Sequence, residues 1–245
     1  MIYEKFAKFY DELFDDELYT KWGNYFEQRV SKSASIMDLA CGTGKLAIEL
    51  IRRGYNVTGS DISEDMLKLA SEHAQVANVN LPLIQMDMLE MDGLTTFDAI
   101  SCFDDSLCYL IEDGQLLRAF QQVNAHLNPG GTFLFDVITP YQTDEVYPGY
   151  MFNDRTEDSA FMWSSYSTDD SEHAIEHDLV FFLFNEEKNA YDAYNEIHDE
   201  RSFEFAVYQH MLNDAGFKDI KVTTDFGNQP YQEKVKRWFI ECTKG

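Results

Sequence analysis

The chain has 245 residues with 44 Asp+Glu against 19 Lys+Arg, a formal net charge of −25, and it is 44% hydrophobic and 15% aromatic. That length and apolar content suit one large domain carrying an inserted piece and argue against disorder. The charge disfavours nucleic acid and an anionic membrane as partners, since both are held mainly by Lys and Arg, and the longest apolar run, Leu179–Phe184, falls far short of the roughly 20 residues of a bilayer span.

In chain order, Ile2–Leu13 and Glu17–Val30 read as two amphipathic helices ahead of a sheet. Residues Ser35 to Ile138 then alternate short apolar strands with helical patterns. Strands are predicted at Ser35–Leu39, Asn56–Ser60, Leu83–Met86, Phe97–Cys102 and Thr132–Val137, and helices at Lys45–Arg53, Glu64–Val76 and Asp113–Leu127. Ser63 ahead of Glu64 and Asp65 is a helix-start signal. Asn128-Pro129-Gly130-Gly131 is expected to stop the third helix and turn the chain. This alternation implies an α/β fold with a mostly parallel sheet and helices on both faces.

From about Tyr141 the pattern changes to strand–turn–strand. Phe161–Ser167 is aromatic and β-like, His173–Phe184 alternates, Asn185–Asn189 reads as a hairpin loop, and Tyr191–Phe203 returns. From Thr139 to Phe205 there are 17 acidic, 3 basic and 14 aromatic residues, so more than half of the excess negative charge lies there. The expected division is a core of residues 1–138 and 205–245, with residues 139–204 as a small antiparallel β insert. The core pattern resumes with helix Phe205–Ala215, a Gly216 stop, and strands Lys218–Thr223 and Arg237–Thr243, which brings the core strands to seven.

Cys41, Cys102, Cys108 and Cys242 form no CxxC pair, and no His stands at zinc-ligand spacing from them. Free thiols in a reducing compartment are expected, with no metal. The N-terminus has acidic residues where a signal peptide has a basic start and an apolar core, so the expected location is cytoplasmic.

The chemistry concentrates at strand ends. Ile36 to Ala47 runs from a buried strand through Asp38-Leu39-Ala40-Cys41-Gly42-Thr43-Gly44 into a helix, and the glycines allow a ligand to approach the backbone. Gly42-x-Gly44-x-x-Ala47 formally fits a dinucleotide turn with Asp61 as the ribose acid. Asp38, however, would repel a pyrophosphate cradled there. A ligand with an ammonium and a sulfonium and no phosphate reverses that sign, which favours S-adenosylmethionine over NAD.

Asp61 ends the second strand, where a carboxylate can accept two ribose hydroxyls. Ile62 and Met66 are placed to flank an adenine. Asp87 follows the third strand and could accept the adenine amino group, with Met88 packing on the ring. Phe103-Asp104-Asp105 follows the fourth strand opposite the glycine loop. There Asp104 or Asp105 would orient or deprotonate an acceptor, or else cap the next turn. In the insert, Glu196 and His198 share a strand face, as do His173 and His177.

Asp38-Leu39-Ala40-Cys41-Gly42-Thr43-Gly44, continued by Asp61, Asp87, Phe103-Asp104 and Pro129-Gly130-Gly131, resembles the motifs of class I S-adenosylmethionine-dependent methyltransferases. Tyr3-x-x-Phe6-Ala7-x-x-Tyr10-Asp11 is similar to the first helix of a group of small bacterial members, and Asn195–Arg201 to a Glu-x-His…Arg stretch of the same group. The resemblance implies a Rossmann-like seven-stranded sheet with its last strand antiparallel. It also implies S-adenosylmethionine as cofactor, with Tyr10 lying over it and Ala40, Cys41 and Phe103 joining the residues above around it. Trp22 falls near the pocket and reads as core. Asp104, Asp105 and His198 are the candidate catalytic residues.

The expected reaction is in-line transfer of a methyl group to an N or O nucleophile of a small molecule, with positioning supplying most of the rate. The insert would act as a lid over the acceptor, and the chain as a monomer or homodimer. A NAD-dependent oxidoreductase, or a methyltransferase acting on RNA or protein, remain as alternatives.

Overall fold

The computed structural model describes residues 16–168 and 171–245. The expected helix Ile2–Leu13, and with it Tyr10, lies outside the described residues. Helix α1 (Asp16–Glu27) leads into β1 (Ser35–Leu39), α2 (Lys45–Arg52), β2 (Asn56–Asp61), α3 (Glu64–Val76), β3 (Leu83–Gln85), β4 (Phe97–Cys102), α4 (Gln115–Ala125) and β5 (Leu127–Ile138). The insert follows as β6 (Met151–Arg155), β7 (Ser159–Ser167), β8 (Ala174–Asn185) and β9 (Ala190–Arg201). The chain closes with α5 (Phe205–Asp214), β10 (Phe217–Thr224), β11 (Gln229–Pro230) and β12 (Arg237–Lys244).

The main sheet runs β11-β10-β12-β5-β4-β1-β2-β3. Strands β3, β2, β1, β4 and β5 pair in parallel, while β12 is antiparallel to both β5 and β10. The sheet has eight strands rather than seven, because the two-residue β11 adds to the free edge of β10. The strand order reverses direction at β1, between β2 and β4, and a ligand crevice is expected outside the carboxyl ends of strands at such a point.

Period-two alternation distributes the strand residues between two cores. On β5, Phe133, Phe135 and Val137 pack with Leu116, Phe120 and Val123 of α4 and Leu212 of α5. Leu134 faces the other way and joins Trp22 and Phe26 of α1 and Leu50 of α2. Asp136 stands on the Leu134 side, so a carboxylate is carried into the centre of the α1 layer. By the same parity Arg237 and Phe239 of β12 share that side, and Phe239 is the register partner of Asp136.

Two local expectations change. Helix α4 ends at Ala125 and β5 already begins at Leu127, so Asn128–Gly131 opens a strand, with the turn absorbed by Gly130 at φ 74°. His173 stands ahead of β8 with φ 60° and hydrogen-bonds Asp144 at 2.7 Å, so it does not share a strand face with His177.

The insert forms a separate antiparallel sheet in the order β6-β7-β8-β9. Strand β6 escapes the sequence pattern because all five of its residues are exposed and show no apolar alternation. In register, Trp163 pairs with Leu179, Ser165 with His177, and His177 with His198. Directly opposed residues of neighbouring strands share a face. One face of this sheet therefore carries Trp163, His177, Leu179, Phe181, Glu196, His198 and Glu200 together, and it turns toward the ends of the core strands.

Candidate functional site

Two cavities meet at the carboxyl ends of β1, β2 and β4. The first, about 380 Å³, is lined by the glycine loop, Asp38, Asp61, Ile62, Met66, Met88 and Phe103, with Tyr19 and Trp22 of α1. Asp38 is buried; its Oδ1 accepts from Ser101 Oγ at 2.8 Å, and its Oδ2 has no hydrogen-bond partner among the described residues. Burial pushes its pKa up to about 7, and the neighbouring Asp61 charge adds to the rise. A buried carboxylate oxygen left unmatched is costly, and a cation is the ligand that would relieve it.

Asp61 fixes the loop as well as facing the cavity. Its Oδ2 accepts from the Gly42 amide at 2.8 Å and its Oδ1 from the Ser63 amide at 2.9 Å. Burial raises its pKa while those two N–H bonds oppose the rise. Gly42 and Gly44 do different jobs. Gly42, at φ 53°, has nothing within 4 Å of where a Cβ would stand, which keeps the loop open to a ligand. At Gly44, φ 75°, a Cβ would lie 2.9 Å from the Ala70 Cβ, so this glycine is needed for α3 to pack against the loop. Gly44 thus supports the site from behind and does not line it. Ala40 itself holds φ 57°.

Met88 lines the cavity but Asp87 does not; its Oδ1 accepts from the Leu89 amide at 2.8 Å, closing a local turn. Cys41 lies against Gly59, and burial, followed by the charges of Asp38 and Asp61, raises its thiol pKa well above the usual range.

After β4 the chain enters two consecutive left-handed residues, Asp104 at φ 57° and Asp105 at φ 49°. Such strain persists only where the surroundings hold it. Here the Asp105 amide donates to Asp136 Oδ1 at 2.9 Å, and Arg237 Nη2 donates to Asp105 Oδ2 at 2.9 Å. Arg237 Nη1 lies 3.0 Å from Asp136 Oδ1, and Trp22 Nε1 donates to Asp136 Oδ2 at 2.7 Å. Asp105 is therefore committed to an ion pair, and Asp104, 3.8 Å from the same guanidinium, is the less engaged of the two. Enclosure and the Asp105 charge raise the Asp104 pKa.

The second cavity, about 370 Å³, lies between Asp104, Asp105, Tyr109 and Arg237 of the core and the inner face of the insert. Asp104, Tyr109 and His198 border both cavities. His198 Nε2 lies 3.0 Å from Glu196 Oε2 and its Nδ1 lies 3.1 Å from the Tyr109 hydroxyl. Since an ionised carboxylate only accepts, the ring proton belongs on Nε2, and Nδ1 accepts from Tyr109. Deeper in, His177 Nδ1 meets Trp163 Nε1 at 3.2 Å and Ser165 Oγ at 2.8 Å. Burial lowers the His177 pKa to about 4.

The structure brings Asp38, Ala40, Cys41, Gly42, Asp61, Ile62, Met66, Met88, Phe103, Asp104 and His198 to one cavity. Sequence reasoning missed Asp136, Arg237 and Glu200. Asp136 did leave a signal: a lone acid within Phe133-Leu134-Phe135-Asp136-Val137 is a charge in a buried strand, and such a charge calls for a partner.

A family model described as a methyltransferase domain matches residues 36–131. YqeM of Bacillus subtilis, named as a methyltransferase, is 37% identical over 245 residues, covering 100% of this chain and 98% of that protein. A protein of a Geobacillus strain, also named as a methyltransferase, is 32% identical with full coverage of both chains. Among solved structures, an S-adenosylmethionine-dependent methyltransferase from Clostridium acetobutylicum superposes with a TM-score of 0.85 at 26% identity, covering 99% of each chain. An amino pentose methyltransferase from Micromonospora echinaspora, solved with S-adenosylmethionine bound, has a TM-score of 0.67 at 18% identity over 94% of this chain and 89% of that one, a likeness of fold.

Proposed function

Because the chain belongs to the class I methyltransferases, whose cofactor is S-adenosylmethionine, we propose that it methylates an N or O nucleophile of a small molecule held in the second cavity. The observation that carries this reading is the junction: Asp104, Tyr109 and His198 border both the glycine-loop cavity and the insert-lined cavity. Donor and acceptor bound in adjoining cavities would meet at those three side chains.

The residues present fit the cofactor. The unmatched Asp38 Oδ2 would hold the ammonium, Asp61 the ribose hydroxyls, Gly42 would keep the backbone approachable, and Ile62, Met66 and Met88 would offer apolar surface for adenine. When bound, S-adenosylmethionine supplies a methyl group already activated by the sulfonium charge. What remains for the protein is to orient the nucleophile, exclude water and accept a proton. The insert's aromatic inner face excludes water. His198, oriented by Glu196 and reaching Tyr109, and the strained Asp104 are the groups beside the junction able to orient a nucleophile or take its proton. The small volume of the cavity, about 370 Å³, and the −25 charge favour a small molecule over RNA.

The test is to incubate the protein with methyl-labelled S-adenosylmethionine and a bacterial extract separated into small-molecule, RNA and protein fractions. Label in the small-molecule fraction is expected. Label confined to RNA or protein would overturn the small-molecule reading. Calorimetric binding of NADH with none of S-adenosylhomocysteine would overturn the site assignment.

A further inference from the structure

The insert-lined cavity holds two buried polar atoms that have no hydrogen-bond partner among the described residues: Glu200 Oε2 and His177 Nε2. Their residues are only 7% and 3% exposed, and the two atoms stand 4.0 Å apart. Unpartnered buried polar groups in a cavity wall are destabilising for the protein alone and point to a ligand.

The proton on His177 can be located. The Trp163 indole N–H has no acceptor capacity, so His177 Nδ1, which it meets, must accept. Burial keeps the imidazole neutral, so its one proton sits on Nε2. His177 therefore presents a donor, and cannot serve as a base through that atom, while Glu200 presents an acceptor beside it. The charge around the pair is lopsided. Asp104, Asp105, Asp136 and Glu200 are gathered about a single guanidinium, Arg237. Most of the rest of the wall is aromatic, with Tyr147 and Trp163 both in contact with the His177 ring. Excess carboxylate and aromatic faces both favour a cation.

From this geometry we infer that the acceptor is a primary or secondary amine, delivered as its ammonium ion, that carries a hydroxyl or carbonyl oxygen on a neighbouring carbon. The ammonium N–H donates to Glu200 Oε2, and the oxygen accepts from His177 Nε2–H. This deepens the methyltransferase reading and rests on it, choosing N over O. An ammonium must lose one proton before its lone pair is free. That proton passes to Glu200, whose carboxyl is pushed up by burial and then by the Asp105 charge, and then leaves to solvent. Tyr109 shares the cavity wall with Glu200 and borders both cavities, so the proton acceptor lies beside their junction.

Calorimetry on the full chain saturated with S-adenosylhomocysteine tests the inference with a matched probe set: 2-amino-1-phenylethanol, 1-phenyl-1,2-ethanediol, mandelate and phenethylamine. The amino alcohol should bind at least tenfold tighter than the neutral diol and the anionic mandelate, and severalfold tighter than phenethylamine, which lacks the oxygen. Glu200→Gln should abolish the preference for the amino alcohol over the diol. Equal or tighter binding of the diol or mandelate, or no binding of the amino alcohol at millimolar concentration, overturns the inference. The wild-type comparison stands even if Glu200→Gln does not fold. Failure of S-adenosylhomocysteine itself to bind would instead overturn the cofactor assignment, so the two failures are distinguishable.

Discussion

Trp22 and Asp136, 114 residues apart, are joined by a 2.7 Å hydrogen bond from the indole N–H to a carboxylate with no exposure to solvent. The bond ties helix α1, which roofs the cofactor cavity, to the strand that carries the Arg237 ion pair. Asp136 is thus the hinge between two walls: Trp22 on the cofactor side, Arg237 and the Asp105 amide on the acceptor side.

Removing the cation from that arrangement should be costly. Arg237→Met leaves Asp136 and Asp105 without a counter-charge, and breaking a buried pair from one side typically costs ~3 kcal/mol or more. Urea unfolding should show a loss of that order. Adding Asp136→Asn should recover part of it, because the uncompensated buried charge is then gone. A single variant as stable as the wild type would contradict the account.

The two loop glycines should separate affinity from stability. Gly44→Ala forces a Cβ to 2.9 Å from the Ala70 Cβ at a positive φ, so the melting temperature should fall by several degrees. The Cβ of Gly42→Ala would meet no protein atom within 4 Å, leaving φ strain as its structural cost, and its main effect should be a weaker Kd for S-adenosylhomocysteine. Asp61→Ala should weaken that Kd by about tenfold or more, through lost ribose bonds and a loosened Gly42 amide. Calorimetry and thermal melts on the three variants check the division.

Cofactor binding should depend on pH through Asp38. Its folded pKa of about 7 means the side chain is mostly neutral at pH 6 and mostly ionised at pH 7.5. The ionised form is the one that holds an ammonium, and the α-ammonium of the ligand stays protonated to about pH 7.7 or above. S-adenosylhomocysteine should therefore bind severalfold tighter at pH 7.5 than at pH 6. Asp38→Asn should bind weakly with little difference between the two.

Acid stability should reflect His177. Its folded pKa is lowered to about 4 from 6.5, so the unfolded chain takes up a proton that the folded chain refuses. The stabilising contribution is complete above about pH 6.5 and is lost progressively as the pH falls toward 4, to the extent of ~3 kcal/mol. His177→Gln should flatten this part of the stability profile measured by denaturant titration at pH 7, 6 and 5. An unchanged slope would mean the imidazole is already charged in the folded state.

Much of this was legible in the sequence because it is local. Strand–helix alternation, the Asp38–Gly44 turn and the acid at the end of β2 each lie within a dozen residues, so spacing alone places them on one crevice. The acceptor wall is different in kind. Arg237, Asp105 and Asp136 are brought together only by the antiparallel placement of β12 beside β5, a register no local pattern encodes. Glu200 and His177 meet because β8 and β9 pair with Ile175 opposite Glu200 and His177 opposite His198. Asp87 follows β3 where the spacing put it, and its Oδ1 accepts from the Leu89 amide, a local bond that no pattern announced.

The last strand of the chain is not an edge strand. Strand β12 lies between β5 and β10, and it delivers Arg237 at its first position. A chain ending at residue 236 would leave β5 with an open edge, strand β10 paired only with the two-residue β11, and the carboxylates of Asp105 and Asp136 without the Arg237 guanidinium. The acceptor wall is therefore closed by a residue 101 positions beyond Asp136 and 132 beyond Asp105, supplied by a strand that reaches the site from the far side of the insert. Acceptor recognition thus depends on the pairing of β12 with β5 in a way that the turn between β1 and α2 does not.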